Sequence, residues 1–329
     1  MWGHGTPPVT LLARSAVLEG LGVVARERGL DPGALLRQCG VPQRALTDRD
    51  LRIPAEQVAA LLETTARQAG IDDLGLRMAL LRHSSVLGPL RMLLREQATV
   101  GAALAALARF GWAQIEGLGL ALNDDGEIAV LRLSLDPVLI GASREASELT
   151  LASLTGLLRE FMGPGWQPEM VLFTHPRPAS LARHIACFGR VPVFAQDMTA
   201  LVLTSAELRR PIEGADPAAA ALAARMLGEV GPGPSPSEAD RVLMLIRDAL
   251  PRGEARADRI ANRLGIDRRT LHRRLAAAGT SYTSLLQRAR RDLLTALAAA
   301  PGRSLTEQAG LFGFSSLSAY SRWRRSNRS

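Results

Sequence analysis

Arginine is the side chain with which this sequence can do most. All forty basic residues are Arg and lysine is absent, so each cation is a planar fork of N–H donors that fits a guanine edge or a phosphate. It is used closely in Ala257–Ala278, ADRIANRLGIDRRTLHRRLAAA, where Arg269, His272, Arg273 and Ala276 share one face at helical spacing. That face is donor-rich, as direct reading of base edges in a major groove requires. The missing lysine also removes chemistry, because P-loops, kinase-type sites and Schiff-base enzymes need an ammonium or amine. Other candidates are sparse. His175, His184 and Cys187 fall within thirteen residues, and His184 and Cys187 share a helix face at i, i+3. No fourth ligand accompanies them, so no metal site is expected. Asp124 and Asp125 stand between Asn123 and Gly126 and read as turn residues, not as an acid pair. No Gly-x-Ser-x-Gly elbow is present. The chain reads as a non-enzyme, with no catalytic residue and no cofactor expected.

The element that must hold the Arg face is a helix-turn-helix. Ile260, Ala261 and Leu264 share one face of a first helix, Gly265 allows a tight turn, and Ile266 plugs beneath it. Asp267 is a ready N-cap for the second helix, whose Leu271, Leu275 and Ala278 form an apolar stripe. Forty-eight residues on, the pattern returns in LTEQAGLFG, Leu305–Gly313. Ala309, Phe312, Gly313 and Phe314 fall where Ala261, Leu264, Gly265 and Ile266 stood. Ser316 is the N-cap of the second copy, Tyr320 matches Leu271, and Arg322 matches Arg273. Between the copies, Tyr282–Ala299 reads as one helix carrying Arg288, Arg290 and Arg291, about 27 Å long. The double helix repeats every roughly 34 Å, so both second helices suit successive major grooves on one face of DNA.

Charge follows the same division. Residues 237–329 hold 18 Arg against 8 acidic side chains, a net of +10, whereas residues 1–236 carry a net of −2. A compact basic segment beside a near-neutral one is the electrostatic footprint of a nucleic-acid-binding module. Between them, Gly231-Pro232-Gly233-Pro234-Ser235-Pro236-Ser237 reads as a linker. Two cysteines, no apolar run long enough to span a bilayer and no basic-then-apolar leader point to a cytoplasmic protein without a membrane partner.

The first 230 residues read as α+β. Helices are expected over Leu11–Arg28, from Asp31 through Gln38 with Pro32 at the first position, and over Ala55–Ala69 and Leu74–Leu81. A further helix is expected over Val100–Phe110, capped by Thr99. Leu118–Leu122 and Ile128–Leu135 alternate as two strands of a hairpin. Beyond them the pattern predicts a helix over Ser143–Met162, a strand over Met170–Thr174 and a helix over Ala179–Cys187. Strands near Val191–Phe194 and Ala200–Leu203 and a helix over Asp216–Leu227 complete it. The fold class is an α+β domain, a helical front with a small, mainly antiparallel sheet, followed by an all-α tandem helix-turn-helix.

The stretches LGIDRRTLHRRLAAAGTSYTSLL, ARRDLL and SLTEQAGLFGFSS resemble the tandem helix-turn-helix domain of the AraC/XylS transcription regulators. Upstream, GLDPGALLRQCGVP, RIPAEQV, DDLGLRM, SVLGPL, ATVGAALAAL, HPRPA and FGRVPVF resemble the arabinose-binding-type N-terminal domain of one branch of that family. The resemblance implies residues 1–230 as a regulatory, effector-sensing and self-associating domain, 231–237 as linker, and 238–329 as DNA-binding domain. Carried over by position, Arg268, Arg269, His272 and Arg273 are the base-reading residues of the first motif, and Ser318, Ser321 and Arg322 those of the second. Double-stranded DNA, a small-molecule effector, a second copy in a homodimer and RNA polymerase are the implied partners, and a nucleoid-associated cytoplasmic location is implied with them.

The sequence departs from the family at Gln308, where the family has Ile. It departs again at Arg324, where helical spacing wants an apolar partner for Tyr320 unless Trp323 fills that seat, and in the family's tail, which is absent after Ser329. The second motif is therefore expected to be the weaker. Two other readings accompany the regulator: an enzyme-like N-terminal domain with a DNA-binding appendage, and a degenerate regulator acting through partners.

Overall fold

The computed structural model describes residues 11–135, 143–230, 238–250, 253–264, 266–298, 309, 312, 314 and 317–326. They fall into two compact units, one holding the described residues up to 230 and the other those from 238 onward. The Gly/Pro segment 231–237, Gly265, Gln308 and Ser316 lie outside the described residues.

The first unit does not open with the helix that the spacing over Leu11–Arg28 predicts. Strand β1 (Leu12–Arg14) pairs antiparallel with β2 (Arg52–Pro54), a 3-10 turn covers Ser15–Leu18, and α1 occupies only Leu21–Glu27. The reason is non-local. The Leu12 N–H donates to the Glu116 carboxylate at 2.9 Å and the Arg14 N–H to Gln114 O at 2.7 Å, partners about a hundred residues away. Local signals hold better downstream. Asp31 caps α2 (Pro32–Gln38) by accepting from the N–H groups of Gly33 and Ala34. Helices α3 (Ala55–Ala69) and α4 (Leu74–Leu81) lie where their periodicity places them. An unforeseen α5 (Pro89–Arg95) precedes α6 (Val100–Phe110), which Thr99 caps through Ala102 N–H.

The sheet is built on the hairpin of β3 (Leu118–Asp124) and β4 (Ile128–Leu135). Asp124 accepts from Gly126 N–H at 3.0 Å and Asp125 from Ile128 N–H at 2.8 Å, so both carboxylates are consumed by the turn. With β5 (Met170–Leu172) and β6 (Thr199–Thr204) the order is β3-β4-β6-β5, every ladder antiparallel. Val191–Phe194 is not a strand; it contributes a single parallel bridge from Val193 to Leu172.

Helix α7 (Arg144–Met162), capped by Ser143, joins two apolar cores. Its Leu149 packs with the residues of α1–α4, and its Leu151, Leu154 and Leu158 pack against the sheet. Gly75 sets the approach of α4 to α7, since a Cβ there would stand 2.2 Å from Glu145 O. The unit is completed by α8 (Ala182–Phe188), α9 (Ser205–Leu208) with a Thr204/Glu207 capping box, and α10 (Pro217–Val230).

The second unit is helical: α11 (Glu238–Ala249), α12 (Ala257–Arg263), α13 (Arg268–Ala277), α14 (Tyr282–Ala298) and α15 (Leu317–Ser326). Its core gathers Val242, Ile246, Ile260, Ala261, Leu271, Leu275, Leu285, Phe312 and Tyr320. Ala278, expected in the apolar stripe of α13, is instead its exposed C-cap.

Candidate DNA-binding surface

Helix α13 begins where the sequence supplies a cap. The Asp267 carboxylate accepts from Thr270 N–H at 2.9 Å and from the Thr270 hydroxyl at 2.8 Å, and these two bonds hold its pKa below the usual aspartate value. From that start, one face of α13 is fully buried through Leu271 and Leu275, which leaves the other to solvent. Arg268, Arg269, His272 and Arg273 are all exposed there. Among the described residues no hydrogen bond or ion pair holds Arg268, Arg269 or Arg273. The His272 ring meets the Tyr282 ring edge-on, with centroids 6.4 Å apart. Burial pushes the Tyr282 phenol up to about 12, so it stays neutral at the foot of α14. The result is a helix on which the guanidinium groups of Arg268, Arg269 and Arg273 have no hydrogen bond or ion pair among the described residues.

The second motif is seated differently. Tyr320 of α15 is fully buried and sits among Phe312, Phe314 and Trp323, with the Phe312 centroid at 5.1 Å. Trp323 fills the apolar seat that Arg324 would otherwise have to occupy, and its indole N–H donates to Gln287 Oε1 on α14 at 2.7 Å. Arg290 closes the cluster from α14, donating to Phe312 O at 3.0 Å with its guanidinium 4.1 Å from the centre of the Phe314 ring. Burial lowers the pKa of that guanidinium, and the aromatic face beneath it is the compensating partner. Arg324 is half-buried, and its Nε has no hydrogen-bond partner among the described residues. Ser318 and Arg322 are exposed and Ser321 half-buried, so the three share the outer side of α15. The aromatic cluster was legible only in part, because Arg290 announces itself as a surface charge.

In the first unit, the His/Cys trio resolves into structure. His184 Nε2 lies 2.9 Å and His175 Nε2 3.4 Å from the same oxygen of buried Glu148 on α7. Cys187 points its thiol at Leu76 O, 3.7 Å away, and burial pushes that thiol up to about 12. Nearby, Glu145 accepts from Gly75 N–H at 2.8 Å and pairs with Arg144 at 2.9 Å, yet burial still raises its pKa. Glu145 and Glu148 escaped the sequence reading, since a carboxylate on a long helix normally faces water. Among the described residues no group of three His, Cys, Asp or Glu side chains is arranged for a metal ion, and no helix is long and apolar enough to cross a membrane.

Residues 29–212, more than half of the chain, match the family model of the arabinose-binding domain of AraC transcription regulators, N-terminal part. The chain belongs to the AraC family. This AraC-family protein is 28% identical over 313 residues to the HTH-type transcriptional regulator VirS of Mycobacterium tuberculosis, covering 94% of this chain and 92% of the relative. It is 27% identical over 316 residues to the ornithine utilization regulator of Pseudomonas aeruginosa, covering 93% and 91%. The crystal structure of the regulator CdpR from Pseudomonas aeruginosa aligns with a TM-score of 0.42 at 21% identity, over 89% of this chain and 92% of that one. The AraC-family chain is a DNA-binding transcription regulator.

Proposed function

We propose that this regulator reads its operator chiefly through α13, with α15 as a secondary reader, and that residues 1–230 control it through a bound small molecule. In this reading 238–329 is the DNA-binding domain and 231–237 the linker. The protein works as a homodimer that meets RNA polymerase in the cytoplasm, on the nucleoid, and catalyses nothing. The observation that carries the DNA-reading assignment is the outer face of α13, where Arg268, Arg269 and Arg273 are exposed and uncommitted above fully buried Leu271 and Leu275. Guanidinium groups on a seated helix are the usual partners of guanine edges. The lesser role of α15 is supported by its shorter donors, Ser318 and Ser321, and by the unpartnered Nε of Arg324 within the same helix.

The test measures the affinity of the full-length protein for its operator and for random DNA at one salt concentration. Arg273→Ala is expected to cost about 1–3 kcal/mol on the operator and much less on random DNA. Arg322→Ala is expected to cost less than Arg273→Ala on the operator. Equal loss on both DNAs would make Arg273 a phosphate contact, and equal loss for both variants would remove the asymmetry between the motifs.

A further inference from the structure

The first unit contains a cavity of about 200 Å³ between α7 and the segments 79–87 and 107–120. Building on the effector reading above, we propose that this cavity binds a neutral, mainly apolar small molecule with a single hydroxyl-type group, and that it does not bind a sugar.

Four observations lead there. The first is size and lining. The walls include Val17, Leu87, Leu107, Ile115, Leu118 and Leu157, and an apolar cavity of roughly 150 Å³ already holds a benzene ring. A single ring with a small substituent, or a short branched chain, therefore fits.

The second is how little hydrogen-bonding capacity the walls leave over. The Thr150 hydroxyl donates to Ala146 O at 2.7 Å, and Gln114 is held by Leu87 O at 2.7 Å and by Arg14 at 3.3 Å. Arg82 donates to Glu19 O at 3.1 Å and also to Val17 O. Ser84 accepts from Arg91, and His83 is an exposed imidazole on the lining. Ser153 differs from them, because its Oγ is buried and has no partner among the described residues. One spare buried hydroxyl satisfies one buried polar group of a ligand. A pentose would bury several hydroxyls against aliphatic carbon, which is unfavourable for each one left unpaired.

The third is charge. Glu160 at the edge of the cavity is paired with Arg91 at 3.3 Å, and the Arg82 guanidinium lies beside the Glu19 carboxylate with its N–H groups on main-chain oxygens. Desolvation draws Arg82 down only to about 10, so it stays cationic and balanced at neutral pH. An anionic ligand meets Glu160 and no uncommitted guanidinium, His83 being the exposed imidazole of the lining, and a cationic ligand meets no unpaired acid. Neutral chemistry is what remains.

The fourth is Gly156. It stands inside α7 on the cavity wall, and a Cβ added there would meet nothing within 4 Å. Glycine is the poorest residue for a helix interior apart from proline. Here the sequence keeps one where alanine would make the better helix, at a position that lines the cavity and is itself exposed.

The experiment titrates the full-length protein by calorimetry with p-cresol, its hydroxyl-free counterpart p-xylene, and L-arabinose, and then repeats each titration with DNA present. Wild-type protein is expected to bind p-cresol at least tenfold more tightly than arabinose. Gly156→Leu, which fills the space, should weaken p-cresol at least tenfold, and Gly156→Ala, which keeps the helix in any event, should weaken it partially. Ser153→Ala should narrow the preference for p-cresol over p-xylene. The proposal is overturned if arabinose binds as well as p-cresol, if neither apolar probe gives heat up to millimolar concentration, or if both Gly156 variants bind p-cresol unchanged. Binding that responds to Gly156 but leaves DNA affinity unaltered upholds the cavity and instead sinks the effector reading.

Discussion

Glu148 shows at the level of one residue how burial decides what a side chain does. Its carboxylate is inaccessible on α7 and faces two imidazoles, so His184 and His175 both lie against one buried oxygen. Burial is the largest influence on His175 and draws its pKa below the ordinary 6.5, while the Glu148 charge opposes that shift. A histidine neutral in the fold and more readily protonated in the unfolded chain gives stability that is lost as pH falls. The loss begins as pH drops through about 6.5, the unfolded value. Glu145 acts with the opposite sign, because its raised pKa means the fold holds its proton more tightly than the unfolded chain does. The raw pH profile therefore mixes both groups, and the comparison with His175→Gln isolates one. Urea midpoints measured between pH 7.5 and 5.5 are expected to fall more steeply in the wild type than in His175→Gln. Parallel profiles would mean that His175 titrates alike in both states.

The contact of α4 with α7 leaves no room for a side chain at Gly75. A Cβ at Gly75 would stand 2.2 Å from Glu145 O and 2.9 Å from Leu149 N, both main-chain atoms. Neither helix can yield without moving Leu76 and Leu151, which are fully buried in one core, or Leu74 in the other. Gly75→Ala therefore forces the helices apart even though alanine is the better helix former. Overpacking of this kind costs typically about 1–3 kcal/mol, and the lost bond from Gly75 N–H to Glu145 adds to it. Chemical denaturation of the variant is expected to show a loss in that range or above it. A variant as stable as the wild type would show that the two helices slide past one another without penalty.

At the scale of the whole molecule, the basic segment and the longer near-neutral segment should separate in function as they do in charge. Residues 237–329 carry a net +10 and residues 1–236 a net −2. Counterion release from DNA is driven by the former, so a chain lacking residues 1–230 is expected to keep operator preference and a steep loss of affinity with salt. It should lose its response to any effector, since a ligand shifts only states to which it binds unequally. Affinity measured against salt, with and without inducing extract, checks both halves of that expectation. A fragment that still responds would place regulation in the basic unit.

The local rules were enough for whatever local chemistry decides. Asp31, Thr99 and Asp267 stand as caps because each oxygen reaches an N–H two or three residues on. The hairpin at Asp124–Gly126 and the buried stripe of Leu271 and Leu275 follow from spacing alone, and with them the exposed face of Arg269, His272 and Arg273. Tertiary structure decided the rest. Leu12–Arg14 is a strand because Glu116 and Gln114 supply main-chain partners from a hundred residues away. Trp323 takes the apolar seat beside Tyr320 because Phe312, Phe314 and Gln287 converge on it from elsewhere in the chain. The cavity beside Gly156 and the carboxylates of Glu145 and Glu148 belong to the same class. What surrounds a side chain at long sequence separation is set by the packing of elements, and no periodicity within an element records it.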